Sequence, residues 1–368
     1  MANIRKKVTQ QRIAELTGVS QGIVSAVLRQ APLSDRIPGP TKRRILQVAR
    51  QNNYPIGTPV ERPRGCRNNI IGILLRKENS QFQQDLATGL NDALEALHYR
   101  CVFSRINLDG DPAEAEIFLD RIIDYDHAGI ICLGHFSARM PDVVPRKLER
   151  CPNVVYLNPP RGIGAAPCVR IDYGAGVIEA VRALKARGRK RIALCLNDIN
   201  CDATKGRFAG YCAGILEAGY PMRPELCWTA EDYQLCGWEG ADPAPVVERI
   251  MATVVKDRQP DAIIAANDPW AVELIQALKQ NKFRVPEDIA VIGFGDYAGY
   301  CQSSTPRLTS ISHGNDAIIA ALVELVDGLV TNRLTGSEAD LTDREVKSFL
   351  VERESIGRLT EESNVNQP

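Results

Sequence analysis

Between residues 9 and 50, apolar residues recur every three or four positions in three short bursts, the spacing of small amphipathic helices. Thr9 stands where it can cap the first, whose stripe is Ile13, Ala14 and Leu16, and Gly18 permits a turn through positive φ. Ser20 caps the second, with Ile23, Val24, Val27 and Leu28 inward and Gln21, Gly22, Ser25, Ala26 and Arg29 on or near the outside. The third starts after Pro40 with Thr41 as cap, turning Ile45, Val48 and Ala49 inward and Lys42, Arg43, Arg44 and Arg50 outward. Residues 1–57 therefore read as a helix-turn-helix head.

From residue 70 the pattern changes. Apolar runs at 70–75, 101–103, 129–133, 154–157, 191–196, 261–266 and 289–294 alternate with amphipathic stretches such as Leu86, Leu90, Leu94 and Leu97. Strands alternating with helices imply parallel sheets closed by right-handed crossovers, with a ligand site beyond the carboxyl ends of the strands. Residues 58–69 join the two regions and 358–368 form a polar tail without leucine heptads, which favours a dimer over a tetramer.

Charge separates the same regions. The chain of 368 residues is neutral overall, yet residues 1–68 hold 13 Lys or Arg against 3 Asp or Glu, and the remainder holds 32 against 42. A basic head suits a polyanion that an acidic body avoids. The 11 Cys form no CxxC pair, so no metal or other cofactor is expected, and with no signal-like leader or long apolar run the expected location is the cytoplasm. Gly293-Phe-Gly295 lacks the third Gly of a dinucleotide loop, and GxxxxGK[ST], GxSxG and HExxH are absent, so the chain is not expected to be an enzyme. An intracellular ligand-binding protein, or a sugar-acting enzyme with an accessory DNA-binding head, is the alternative.

VTQQRIAELTGVSQGIVSAVL (8–28) and TKRRILQVARQNNYP (41–55) resemble the lac-repressor-type (LacI/GalR) regulator family. That resemblance implies an all-α helix-turn-helix head on an α/β body of the periplasmic-binding-protein-like type, two Rossmann-like subdomains spanning 70–357. It implies a homodimer on a double-stranded DNA operator, a repressor under control of a small molecule in the interdomain cleft. The effector class it implies is a sugar or sugar derivative, with a nucleobase as runner-up.

Matched by position, the base-reading residues of the second helix fall on Gln21, Gly22 and Ala26. Of these only Gln21 can hydrogen-bond, as an amide can to adenine N6 and N7. Thr9, Ser20, Ser25, Arg29, Lys42, Arg43 and Arg44 complete the expected DNA contacts. The resemblance also implies a hinge helix after the head: Thr58, Pro59 and Glu61 make a good start, but Pro63 takes the wedge position, leaving a hinge helix or a plain linker open. In the body, the effector positions fall on Phe82, as the stacking ring, and on Asn158, Arg207, Asn267, Asp268, Asp296 and His313. Phe82 also suits core packing, and Asn267 and Asp268 also suit a cap for the following helix.

Overall fold

The computed structural model describes residues 9–28, 37–51, 69–76, 80–106, 112–124, 127–133, 147–148, 153–159, 166–197, 202–230, 242–335 and 343–358. Arg29, the linker with Pro63 and the tail beyond residue 358 lie outside them. The chain divides into two compact units, Met1–Pro63 and Arg64–Pro368.

The first unit contains α1 (Gln10–Thr17), α2 (Gln21–Leu28) and α3 (Gly39–Gln51). Thr9 Oγ1 accepts from the Arg12 amide at 3.2 Å, and Gly18 closes α1 at φ 63°. Ile13, Ala14, Val24, Val27, Leu28, Ile45 and Ala49 form one small core. Three expectations need correction. Leu16 is 43% exposed, because Ile13, Ala14 and Thr17 share the inward arc and Leu16 falls outside it. Ala26 is only 6% exposed, its single methyl too short to clear the surface. And α3 begins at Gly39 rather than after Thr41, its first turn closed by the Lys42 amide on Pro38 O.

The second unit is built on two six-stranded sheets. The first has the order β2-β1-β3-β4-β5-β11, from β1 (Ile70–Arg76), β2 (Arg100–Ile106), β3 (Gly129–Cys132), β4 (Val154–Leu157), β5 (Cys168–Asp172) and β11 (Arg344–Lys347), all parallel. The second has the order β7-β6-β8-β9-β10-β12, from β6 (Ile192–Leu196), β7 (Cys227–Thr229), β8 (Ala262–Ile264), β9 (Ala290–Gly295), β10 (Thr309–Ser312) and β12 (Phe349–Val351), with β12 antiparallel. Among the described helices, α4 (Gln81–Ala96) and α5 (Pro112–Asp124) belong to the first half. The second carries α6 (Tyr173–Ala186), α7 (Asp202–Glu217), α8 (Ala244–Ile250, continued by a π-helical turn over Met251–Lys256), α9 (Asp268–Gln280) and α10 (Ala298–Cys301). Then α11 (Asn315–Thr335) returns to the first sheet.

The backbone passes between the halves at Asp172–Tyr173, at Ser312–Asn315 and at Ser348. These passages are stitched together: Ser348 Oγ donates to Asp172 O at 2.7 Å and accepts from the Gly176 amide at 3.0 Å. Strand interiors are apolar on both faces, as helix-covered parallel sheets require; β1, β3, β4, β6 and β9 are almost wholly buried. Leu86, Leu90 and Leu94 of α4 are fully buried, but Leu97 is 41% exposed because it follows the last helical turn.

Candidate functional site

Both sheets have the doubly wound order in which strand direction of travel reverses between β1 and β3, and again between β6 and β8. Ligands in such sheets bind at the carboxyl ends flanking that reversal. Each half places an equivalent clasp there. Gln83, on the helix after β1, donates to Leu133 O at the end of β3 (2.8 Å), and Arg207, on the helix after β6, donates Nη1 to Ala266 O beyond β8 (2.7 Å).

Between these clasps four flat groups stack across the molecule. Phe82 of the first half lies 4.3 Å from the His313 ring at a crossing, His313 lies 4.9 Å from Phe294 at the end of β9, and the Arg207 guanidinium carbon sits 3.7 Å from the Phe294 centroid. Tyr173, at another crossing, meets His313 edge-on at 5.8 Å. Phe82, Arg207 and His313 were expected here; Phe294 and Tyr173 were not. Phe294 ends an apolar strand run and reads as core, and Tyr173 belongs to a passage the sequence pattern does not reveal. Phe82 is 2% exposed, so in this arrangement its ring covers the chain's own His313.

The remaining predicted residues serve as supports around the stack. Asn158 adopts a left-handed φ of 49°, accepts from the Ile171 amide at 3.0 Å and donates to Tyr173 Oη at 3.0 Å, fixing the ring's hydroxyl. Asn267 caps α9 by accepting from the Trp270 amide at 2.9 Å, the simpler of its two readings. Asp268 was expected to touch ligand, but its side chain is fully buried. It accepts from Ser310 Oγ (2.5 Å), the Tyr297 amide (2.8 Å) and Cys301 Sγ (3.5 Å), which makes it the tie of the β9–α10 loop. Burial pushes its pKa up to about 6, and the neighbouring Asp296 adds to the rise against the opposing hydrogen bonds. Asp296, at φ 57°, directs its carboxylate to Arg353 at 2.6 Å rather than leaving it open to ligand.

A cavity of about 750 Å³ lies between α8 and α9, where Pro260 and Ile289 precede β8 and β9. That is the opposite end of the sheet, and none of the predicted effector residues lines it. Trp228 and Trp270 meet edge-on at 6.4 Å on this half, and Trp270 is core.

In the head, Gln21, Gly22 and Ser20 are exposed at the start of α2, and Arg43 and Arg44 are exposed on α3; Ser25 and Lys42 are half-buried. Ala26, also on α2, is buried. The described residues hold no cluster of potential metal ligands, and no described helix is long and apolar enough to cross a membrane.

A periplasmic binding protein-like domain model matches residues 181–356, the second half of the body. Over nearly its whole length the chain is similar to a probable HTH-type transcriptional repressor, ExuR, of Bacillus subtilis (26% identical, covering 96% of this chain and 99% of the relative). It is likewise similar to the ribose operon repressor of Escherichia coli (24% identical, 94% and 99% covered). Along nearly its whole length the chain is thus similar to named transcriptional regulators. Its fold matches the lac repressor dimer bound to operator and an anti-inducer (TM-score 0.73, 19% identical, 96% and 100% covered). It also matches a CelR regulator in complex with cellobiose (TM-score 0.65, 22% identical, 95% and 99% covered). The curated relatives are named as transcriptional regulators.

Proposed function

We propose that the chain is a dimeric, sequence-specific DNA-binding repressor of the cytoplasm, controlled by a small carbohydrate-like effector at the carboxyl ends of its two sheets. The observation that carries this reading is the pairing, in one chain, of a helix-turn-helix head with an exposed Gln21 and a two-sheet body whose reversal points face a shared ring stack. Two heads on one dimer reach successive major grooves about one helical turn apart. Lys42, Arg43 and Arg44 supply phosphate contacts, and Gln21 supplies the base reading.

The ring stack joins the two halves of the body, so a ligand there can bias their closure. A ligand that reaches Arg207 and Phe82 binds one closure state of the body better than another, and linkage then requires DNA affinity to change by the same factor. The test is a DNA-binding titration of the full chain against a panel of sugars and sugar derivatives. A panel member should shift the DNA affinity of the wild type, and Arg207→Ala, folded and still DNA-bound, should lose that shift. An unchanged ligand response in Arg207→Ala removes this site from the account.

A further inference from the structure

The amino ends of β6, β8 and β9, neighbours in the second sheet, are stapled together by two arginines. Arg189 donates to Pro286 O (2.5 Å) and Glu287 O (3.1 Å) before β9. Arg191 donates to Gln259 O (3.0 Å) and to Arg258 O before β8. These acceptors are carbonyls, which fix each guanidinium without cancelling its charge. Asp261, beside them, accepts instead from the amides of Lys190 (2.7 Å) and Arg191 (2.9 Å). Residues 185–191, 256–261 and 282–288 hold 9 of the body's 32 Lys and Arg but only 4 of its 42 Asp and Glu. Lys185, Lys190, Lys256 and Lys282 are exposed there, with no ion-pair partner among the described residues. An otherwise acidic body therefore carries one basic face, preorganised by its own backbone.

The cavity between α8 and α9 adjoins this face, since Gln259 and Asp288 line it and offer their carbonyls to Arg191 and Arg189. Val247, Met251, Val255 and Ile289 make its walls apolar, and the exposed Phe283 ring lines it too. Its charges are polarised. Lys256 stands near the strand starts, whereas Glu248, two turns earlier on α8, and Glu273, in the middle of α9, lie farther from them. A nucleic-acid backbone, charged at every unit and without apolar side chains, would leave this cavity empty and meet Asp257 and Glu287 among the lysines. A protein segment that joins apolar side chains to carboxylates matches both features.

We propose that this face docks an acidic segment of a partner protein, its apolar side chains in the cavity between α8 and α9 and its carboxylates on the Lys256 and Lys282 side. None of the residues assigned to DNA or effector takes part.

The test uses the intact chain and three labelled helical peptides, followed by fluorescence anisotropy: one of Glu with Leu at helical spacing, one with each Leu replaced by Ser, and one with each Glu replaced by Lys. The Glu–Leu peptide should bind about tenfold or more tightly than either of the others. Lys256→Glu with Lys282→Glu should weaken it about tenfold, whereas Arg170→Glu with Lys347→Glu, an equal change of charge on the first sheet, should leave it unchanged. Ala252→Trp, which fills the cavity, should weaken the Glu–Leu peptide and not the Glu–Ser one. Affinity for duplex DNA of arbitrary sequence should be the same in the Lys256/Lys282 variant as in wild type. No binding of the Glu–Leu peptide, a preference for the Lys peptide, equal loss in the two charge variants, or indifference to Ala252→Trp would each overturn the proposal. A fall in duplex affinity in the Lys256/Lys282 variant would assign the face to nucleic acid and overturn it as well.

Discussion

Asp268 shows how burial changes what an acidic residue does. Its carboxylate is enclosed with three donors and no cation of its own, so ionisation is opposed by lost hydration and by Asp296. Because its pKa rises from 3.8 to about 6 in the folded chain, the folded state holds this proton more tightly than the unfolded state does. The sign follows from linkage: this group's contribution is fully present below pH 3.8 and is lost as pH rises through about 6. Urea unfolding between pH 4 and pH 7 should therefore show a downward trend from this group, on the order of 3 kcal/mol in total. Asp268→Asn should flatten that trend relative to wild type; identical pH profiles would contradict it. Gly293 shares the constraint, since a Cβ there would lie 2.2 Å from Asp268 Oδ1. At the head, Gln21→Ala should cost about 1–3 kcal/mol of discrimination at one base pair of each half-site, read as competition between matched and mismatched duplexes.

At the scale of elements, α6 and α7 approach through glycines rather than side chains. A Cβ at Gly210 would lie 2.5 Å from Gly174 Cα and O, backbone atoms that cannot swing away. Gly210→Ala should destabilise the body by about 1–3 kcal/mol in thermal or denaturant unfolding, as overpacking of a close contact does. A neutral outcome would mean that the two helices can separate without loss. The same scale decides what was legible in the sequence. Strands β1, β3, β4, β6, β8 and β9 carry long apolar runs because helices cover both faces, and periodicity finds them. Strands β5, β7, β10, β11 and β12 are short or polar on one side, as in Cys168–Asp172 and Arg344–Lys347, and leave no such run. The passages between halves therefore stayed hidden, and with them Tyr173 and Ser348. Phe82, Arg207 and His313 come from the family resemblance, and nothing local in Asn267-Asp268 or Gly295-Asp296 announces the ties of Asp268 to Ser310 and of Asp296 to Arg353.

For the whole molecule, the charge segregation and the two compact units make a simple division of labour. On the proposed function, the basic unit is assigned DNA affinity and its salt dependence, and the acidic unit the effector and dimer contacts. Residues 64–368 alone should bind effector with the affinity of the full chain and show no measurable DNA binding, and a body that still bound operator would break this division. The full chain should lose DNA affinity steeply with salt, through release of counterions by the phosphate-contacting Lys and Arg residues. Sequence-specific DNA binding is tested most directly by selection of binding sites from random duplex DNA at fixed, near-physiological salt, with wild type and Gln21→Ala in parallel. A palindromic motif is expected from the wild type, with half-sites about one helical turn apart and a base preference that relaxes in the variant. Recovery of only weak, sequence-independent binding by both proteins would contradict it.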